Sequence, residues 1–560
     1  MFSFTLVKTK LFPYSGQAFL DILQIFYCEI ALALAVFAAL LFLASKLNQN
    51  LTFMEQKEIS ISLTLFFSFF LLIQGCFKVA FFFPFALSDL LASNYYFLLN
   101  HYTCFLESLL AFSGGFLLYF SLRLIRINLT QHLMEYPILF AFGIWFLQIL
   151  VLSNHLLITF IGLVGFSLNL YVMIMLFGPT NGPTTTTTTG MLGFRSTDQI
   201  GRINQIARQE ASIKYFYLST FSSSLILLSL VLFYTLTQTV NLVELQQWLH
   251  RTEPNITTAF WSGSGNTLRN LAVLSLIIGF SFKLSAFPAH FWAPEVYQGS
   301  SNSVMAFIIL PVKIGALGVF SNILLGCMNQ LHLFWSPLLI FLAVGSMLAG
   351  ALGALTERKI KKFLAYSSIN QVGFLLLGLA ATNKIEGIQA TLFFLIIYVI
   401  TNLSFFYFFL QIESQKNNKP LIYLTDLNRL DPTNYKVRFS WTVVFFSLAG
   451  LPPFAGFFSK FYILLIAFQN QLYVSVLIGI VTSLLSAYYY IRVVKLLWFE
   501  NLVLGPRFVF TGYSKKVVDS LFNQFFGFGL GSFLTLSFLW NNWLWSYCFV
   551  LAEHCSFFYK

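Results

Sequence analysis

The chain has 560 residues and a formal net charge of +12, with 58% hydrophobic residues and only 9% charged residues. A soluble domain carries about 25% charged residues, so this composition excludes a soluble enzyme, a nucleic-acid-binding domain and a disordered tail. The excess of Lys and Arg is typical of the loops of a membrane protein, not of a phosphate-binding face.

Fourteen apolar runs are long enough to cross a bilayer core of about 30 Å. In chain order they lie at 17–45, 59–87, 102–122, 137–153, 155–177, 213–237, 270–297, 303–326, 333–355, 361–381, 387–412, 439–467, 472–497 and 523–549. The sequence therefore predicts an all-α polytopic membrane protein with about fourteen transmembrane helices. Because the first run can span by itself, we expect no cleavable signal peptide.

The Lys and Arg residues test this number of spans. With fourteen spans, both termini and every second loop share one side of the membrane. That side carries six of the 32 Lys and Arg residues, and five lysines lie within spans. The other side carries 21, which include Lys361, Arg492 and Lys495 because they lie near the ends of their spans on that side. Since basic loops stay on the side of synthesis, we predict that both termini face away from that compartment.

The segment 178–212 is the longest polar stretch in the first half of the chain. It holds two Gly-Pro pairs and then six consecutive Thr residues at 184–189. This composition is that of a flexible linker. We interpret it as an insertion without a function of its own.

Cysteine and histidine offer no pattern for a metal or a redox centre. The six cysteines are scattered without a C-x-x-C spacing, and the seven histidines do not cluster. An iron–sulfur cluster needs four grouped thiolates. We therefore expect no cofactor and no metal in this chain.

Five lysines lie inside the predicted spans, where an ammonium costs roughly 3 kcal/mol or more. Lys78 sits near the end of its span, so we expect its side chain to reach the interface. Lys214 lies near the start of its span, where the same explanation and a functional role stay open. Lys283, Lys313 and Lys460 lie well inside apolar runs and are functional candidates.

Two of these lysines stand beside helix breakers. Lys283 precedes Pro288 and Pro294, and Lys460 follows Gly450 and the Pro pair at 452–453. Proline removes a backbone hydrogen bond from a helix. At membrane depth, a broken helix beside an ionisable side chain is typical of an ion site.

Polar side chains near these lysines suggest a relay. His290 is seven residues from Lys283, on the same face if the helix were continuous, and imidazole titrates in a range that suits proton exchange. A purely structural His stays an equal alternative. Glu295 lies past the second proline, where a relay role and a solvated role are both open. Tyr366, Ser367, Ser368, Asn370 and Gln371 form a polar stripe that could join helices or hold water.

Four segments carry a resemblance to a known family: EASIKYF, FKLSAFPAHFWAPEVYQG, IKKFLAYSSINQVGF and SLAGLPPFAGFFSKFYIL. They resemble the antiporter-like subunit 2 family of NADH:ubiquinone oxidoreductase, respiratory complex I. The resemblance covers about two thirds of the chain, from 135 to 492. It implies two inverted five-helix repeats with two broken helices, and a place in the membrane arm beside other subunits.

The resemblance also implies a division of the chain and a proton path. Helices 1–3 would occupy 1–130, the first half 131–326, the second half 327–497, and the last loop and helix 498–560. Lys283 and Lys460 would be the lysines of the two broken helices and Lys313 the central lysine. Lys214 matches a further family lysine, and Glu29 and Glu107 lie at plausible family positions.

One departure concerns the fifth span. The family has a glutamate there in a Gly-Leu-Glu-Leu setting, whereas this chain has Val164 after Gly162 and Leu163. No Asp or Glu occurs from Tyr136 to Thr197. The usual carboxylate partner of the first channel lysine is therefore missing. Either another acid takes its role, with Glu107 as the best candidate, or this half has lost its switch and relies on water and the Lys283–Lys313 pair.

The sequence favours a proton-translocating, non-redox subunit of respiratory complex I, embedded in lipid as a multi-pass protein of the mitochondrial inner membrane. Three alternatives stay open. They are a cation/proton antiporter subunit, a structural complex I subunit that has lost pumping, and a subunit of a related plastid complex.

Overall fold

The structure is a computed structural model that describes residues 16–47, 53–82, 97, 100–127, 134–177, 194–251, 264–381, 385–414, 421–429, 435–452, 454–499 and 508–510. The helices of the first half of the chain are α1 (Gly16–Leu47), α2 (Phe53–Phe82), α3 (His101–Ile127), α4 (Glu135–Leu152), α5 (Leu156–Leu176), α6 (Phe194–Thr237), α7 (Leu242–Arg251), α8 (Ser264–Leu284), α9 (Trp292–Gly299), α10 (Asn302–Ile309) and α11 (Pro311–Ser321). A π-helical turn, Asn322–Cys327, and a 3₁₀ turn, Asn329–Leu331, follow.

The second half continues with six helices: α12 (His332–Thr356), α13 (Ile360–Ala380), α14 (Ile385–Gln411), α15 (Tyr435–Ala449), α16 (Ala455–Gln469) and α17 (Tyr473–Trp498). A short antiparallel ribbon joins β1 (Ile412–Ser414) to β2 (Phe508–Phe510), and a 3₁₀ turn covers Leu424–Arg429. Sequence patterning gave no signal for this ribbon, because three-residue strands are too short to show an alternation.

Thirteen of the fourteen predicted spans correspond to helices of the described residues. Eleven helices are individually long and apolar enough to cross a membrane, and α1 and the broken pair α15–α16 supply two further crossings. The last predicted span, 523–549, lies outside the described residues. The all-α membrane fold is confirmed.

The prediction of a flexible linker over 178–212 is wrong for its C-terminal part, because α6 begins at Phe194. The residues from 194 to 212 include Gln, Ala, Arg and Glu, which are good helix formers. At 44 residues, α6 is about 66 Å long, more than twice the thickness of a bilayer core. The Thr run 184–189 lies outside the described residues.

Two local features set the ends of α10. The Ser301 hydroxyl accepts a hydrogen bond from the Val304 N–H and so caps α10. Pro311, at the first position of α11, has no N–H to continue α10. Capping and proline thus divide the apolar stretch between α9 and α11 into short helices.

Isolated backbone pairings show which of the segments that connect the helices lie at the same face of the protein. Ser153 pairs with Phe97, and His155 pairs with Asn241, so the ends of α4 and α6 meet at one face, here called the Asn154 face. At the other face, Lys359 pairs with Tyr423; it is called the Lys359 face. The Lys359 face corresponds to the side that carries 21 basic residues in the sequence.

Two sets of five spans repeat the same order. The first set is α4, α5, α6, α8–α9 and α10–α11, and the second is α12, α13, α14, α15–α16 and α17; the fourth span is broken in each. In each set the third span packs against one half of the broken span, α6 against α8 and α14 against α16. Because five is odd, the second set enters from the opposite face, which makes the two repeats inverted.

Candidate functional site

Lys460 lies at the break between α15 and α16 and is buried. Its Nζ donates hydrogen bonds to the carbonyls of Leu448 at 3.1 Å and Ala449 at 2.8 Å, and to the Ser486 hydroxyl at 3.2 Å. These carbonyls end α15, so the ammonium lies at the negative end of the helix dipole. The break thus supplies free backbone acceptors for a buried cation.

Gly450 makes this arrangement possible. Its φ is +80°, a conformation that side-chain-bearing residues rarely adopt. A Cβ at this position would lie 2.9 Å from Lys460 Cδ and 3.2 Å from Nζ. The glycine therefore turns the chain out of α15 and leaves room for the lysine.

Lys313 lies on α11 and is also buried. Its Nζ donates to the Ser368 carbonyl of α13 at 3.2 Å. Further along α13, the ring of Phe374 faces the ammonium of Lys460, with 5.7 Å between Nζ and the ring centroid. Six residues of helix span about 9 Å, so α13 connects the surroundings of the two lysines.

Lys283 lies in the last turn of α8, and its Nζ lies 3.5 Å from the Ser219 carbonyl of α6. Lys283 forms no ion pair with a carboxylate of the described residues. A cavity of about 20 Å³ adjoins the side chain and is also lined by Val312 and Ala316, which flank Lys313 on α11. This volume holds about one water. Because residues of both helices line it, the cavity extends from Lys283 to the helix that carries Lys313.

The α5 wall of that cavity carries no acid. Leu163, Phe166 and Leu170 line it, while Val164, the position of the family glutamate, is half-buried. The Val164 carbonyl accepts a hydrogen bond from the Ser167 hydroxyl of its own helix. The apolar wall agrees with the absence of a carboxylate in the sequence of this span.

His290 does not share a helix face with Lys283. α8 ends at Leu284, and His290 lies in the non-helical segment before α9, where its ring is 4.3 Å from that of Phe291. His290 is buried, and its Nδ1 has no hydrogen-bond partner within the described residues. The seven-residue spacing was misleading because it assumed a continuous helix.

Lys214 is a surface residue of the isolated chain, with 41% of its side chain exposed. Its Nζ lies 2.6 Å from Glu210, one turn earlier on α6, and 2.6 Å from Glu295 on α9. The second pair ties α6 to the half-helix that follows the break after Lys283. Glu295 is therefore an ion-pair partner of Lys214.

Lys78 is buried in a cluster of charges and does not reach the interface, so that expectation was wrong. Its Nζ lies 2.7 Å from Glu29 Oε1 on α1 and 2.8 Å from Glu107 Oε2 on α3. Three helices enclose these side chains, which is why the position near a helix end did not expose Lys78. Glu107 thus pairs with Lys78, and the structure brings it to neither Lys283 nor Lys214.

Sequence reasoning missed Lys361 because it counted the residue among loop lysines. It lies in the first turn of α13, and its Nζ donates to the Ser300 carbonyl at 2.6 Å. Ser300 is the C-cap of α9, so Lys361 joins the second repeat to the broken helix of the first. The position of Lys361 at the start of an apolar span was the available signal.

Comparisons with known proteins agree with this architecture. Residues 200–486 match the family described as NADH:quinone oxidoreductase/Mrp antiporter, TM. A relative from Pelagibacter ubique, NADH-quinone oxidoreductase subunit N, is 30% identical over 72% of this chain and 77% of its own length. A Marchantia polymorpha relative, NADH-ubiquinone oxidoreductase chain 2, is 37% identical over 52% of this chain and 57% of its own length.

A solved structure shows the same fold. It is a chain of respiratory complex I from Thermus thermophilus with bound aureothin, and it superposes with a TM-score of 0.64 at 23% identity. The match covers 91% of this chain and 96% of that chain. It therefore extends well beyond the 287-residue segment that the family match covers.

Proposed function

Because the chain belongs to the family of antiporter-like membrane subunits shared by NADH:quinone oxidoreductases and Mrp antiporters, we propose that it translocates protons as a non-redox subunit of a complex I membrane arm. The observation that carries this proposal is the row of Lys283, Lys313 and Lys460. Each is buried, each donates to backbone carbonyls, and none is paired with a carboxylate of the described residues.

A cavity wall and a helix that the lysines share support an exchange of protons among them. The cavity beside Lys283 reaches α11 on both sides of Lys313, and α13 contacts both Lys313 and Lys460. A buried lysine without a fixed counter-ion can be charged or neutral without breaking an ion pair. A proton that binds to one lysine gives it a positive charge. In a low-dielectric interior this charge disfavours protonation of the neighbouring lysine, so the charge state of each lysine influences the next.

Relatives of this family are named as subunits of an NADH-quinone or NADH-ubiquinone oxidoreductase. We propose that this chain likewise has other membrane-arm subunits as partners and lipid around its exposed faces. The exposed apolar side chains of α1 and α17, such as Leu34, Phe37 and Leu477, support this. We also propose that it holds no flavin, cluster or quinone, and iron or flavin in the washed, separated subunit would contradict that.

We propose that the membrane is the mitochondrial inner membrane. The composition, with 69 Phe residues, suits a chain encoded in an organelle genome, and one relative is named for ubiquinone as acceptor. Immunodetection in purified mitochondria but not in plastids or other membranes would support this location. Detection in plastids would favour the related plastid complex.

The proton-to-electron ratio of the intact complex tests the function. We expect Lys283→Ala to lower the ratio, because it removes the first buried lysine and leaves the apolar cavity. Lys495→Ala, an exposed lysine on α17, is the matched control and should behave as wild type. If Lys283→Ala, Lys313→Ala and Lys460→Ala all assemble and pump normally, the chain is a structural subunit.

A further inference from the structure

The charged cluster of α1, α2 and α3 is outside the lysine row described above. It contains two carboxylates, Glu29 and Glu107, around the single ammonium of Lys78. All three side chains are buried, and Glu107 is fully so. With every group ionised the cluster would hold one uncompensated negative charge, and two carboxylates that share one cation in a dry site are stabilised by an additional proton.

Unpartnered polar atoms accompany the cluster. Glu107 Oε1 has no hydrogen-bond partner among the described residues, although Oε2 is held by Lys78. Gln74 lies one turn before Lys78, on the same face of α2. It is 3% exposed, and neither atom of its amide has a partner in the described part of the chain. Buried polar groups are normally satisfied, so this site has unused capacity for a proton or a water.

A polar stripe leads from Glu107 to the Asn154 face. Thr103 lies one turn before Glu107 on α3, is fully buried, and exchanges hydrogen bonds with the backbone of Asn100 at 2.9 Å. Asn100 lines a pocket of about 60 Å³ together with Tyr102, Ser321 and Gly326. That volume has room for several waters, and one helical turn, about 5.4 Å, is a gap that a single water can bridge.

Other charged groups on the helices packed against α3 lie elsewhere. Glu135 lies in the first turn of α4, at the opposite end from the pocket, and Lys313 of α11 bonds to Ser368. Glu386 of α14 is exposed, two residues before Ile388, which lines the pocket. Cys104 is the remaining titratable group near the cluster.

We propose that Glu29, Lys78 and Glu107 form a proton-binding site that exchanges its proton with the Asn154 face through the pocket at Asn100. On release, the O–H bond of the Glu107 carboxyl breaks and a pocket water takes the proton as hydronium, while Lys78 stabilises the carboxylate that remains. Uptake is the reverse. This site goes beyond the lysine row, because it lies on three helices that precede both five-helix repeats.

The first test uses the intact complex and infrared spectroscopy of protonated carboxyl groups, recorded in H₂O and D₂O. We expect Glu107→Gln to remove about one carboxyl equivalent from the C=O band and to lower the proton-to-electron ratio. Ser108→Ala is the matched control on the same helix, since within the described residues its hydroxyl bonds to the Phe105 carbonyl of its own helix and not to the cluster. An unchanged carboxyl band in Glu107→Gln would overturn the proposal.

The second test leaves the charged cluster intact. A Cβ at Gly326 meets no atom within 4 Å, so alanine fits at this position. Because Gly326 lines the pocket, we expect a longer side chain to take up pocket volume. We expect Gly326→Leu to slow hydrogen–deuterium exchange of the Glu107 carboxyl, with Gly326→Ala intermediate. If Glu107→Gln fails to assemble, Gly326→Leu still tests the proposal. Carboxyl exchange as fast as in wild type would show that the pocket is not the route.

Different results would contradict the lysine path and the proton site at Glu107. A complex in which Lys283→Ala abolishes pumping but Glu107→Gln keeps its carboxyl band has the lysine path without the second site. A complex with the opposite result has a proton site near α3 and a structural lysine row. Loss of assembly in Glu107→Gln, together with normal exchange in Gly326→Leu, identifies the cluster as an ion-paired support for three helices and overturns the proposal.

Discussion

Lys460 packs against Gly450 across the break between α15 and α16, so closely that a Cβ at residue 450 would lie 2.9 Å from Lys460 Cδ. The ammonium is held by the carbonyls of the two residues before the glycine. The backbone turn and the position of the charge are therefore one structural feature. A change in either should disturb the other.

The first prediction concerns Gly450→Ala. Alanine at a φ of +80° costs about 1–2 kcal/mol, and its Cβ displaces the lysine from the carbonyls of Leu448 and Ala449. We expect slower coupled turnover and a lower proton-to-electron ratio. Lys460→Ala should also lower coupled electron transfer while the complex assembles.

The double variant separates a specific effect from general strain. If Gly450→Ala acts by moving the lysine, then its effect on pumping should largely disappear in the Lys460→Ala background, which is the signature of two groups that act together. Additive losses of pumping would instead show that the glycine matters only for the turn.

The second prediction compares two serines on α17. The Ser486 hydroxyl lies 3.2 Å from Lys460 Nζ, and a hydrogen bond to a charged group contributes about 1.5–3 kcal/mol. We expect Ser486→Ala to slow coupled turnover by up to about tenfold, measured as deamino-NADH-driven proton uptake in vesicles. Ser483→Ala is the control, because its hydroxyl is exposed and bonds only to the Ile480 carbonyl. Equal rates in the two variants would remove Ser486 from the site.

The sequence predicted those parts of the molecule that depend on local chemistry. Apolar runs located the spans, and the glycine and prolines next to Lys283 and Lys460 located both breaks. The breaks could be found because Pro and Gly disrupt a helix wherever it packs. The lengths of α6 and of the segment after 178 were harder to predict, since a polar helix and a linker can have similar compositions.

Contacts between distant residues could not be read in this way. Lys78 and Glu107 are 29 residues apart, and only the packing of α1, α2 and α3 brings them together. The sequence indicated a lysine near a helix end, which is exposed in most proteins. Likewise, the sequence pattern groups Lys361 with the loop lysines, and its contact with Ser300 at the end of α9 depends on tertiary packing.

The third prediction concerns the two carboxylates next to Lys214. Glu210 forms an i,i+4 pair on α6, which in exposed positions is worth about 0.3–0.5 kcal/mol. Glu295 instead connects α6 to α9, the half-helix after the break. We expect Glu295→Gln to reduce pumping and Glu210→Gln to have little effect, although both remove one negative charge. Equal effects of the two variants would show that only local charge matters, and not the connection to the broken helix.

The last prediction is that this chain pumps without a carboxylate on α5, so that restoring one brings no gain. Lys283 already donates to the Ser219 carbonyl, and Lys214 already has Glu210 and Glu295. A glutamate at Val164 would stand one residue from Leu163 of the cavity wall. If its charge came within about 4 Å of the Lys283 ammonium, the pair would be bound by roughly 4 kcal/mol at an effective dielectric of 20. Such a pair would hold the proton on Lys283 and slow its release. We therefore expect Val164→Glu to pump more slowly than wild type, and Val164→Gln, of similar size but uncharged, to pump faster than Val164→Glu. Faster proton transport in Val164→Glu than in wild type would show that the first half of the protein had been limited by the missing acid.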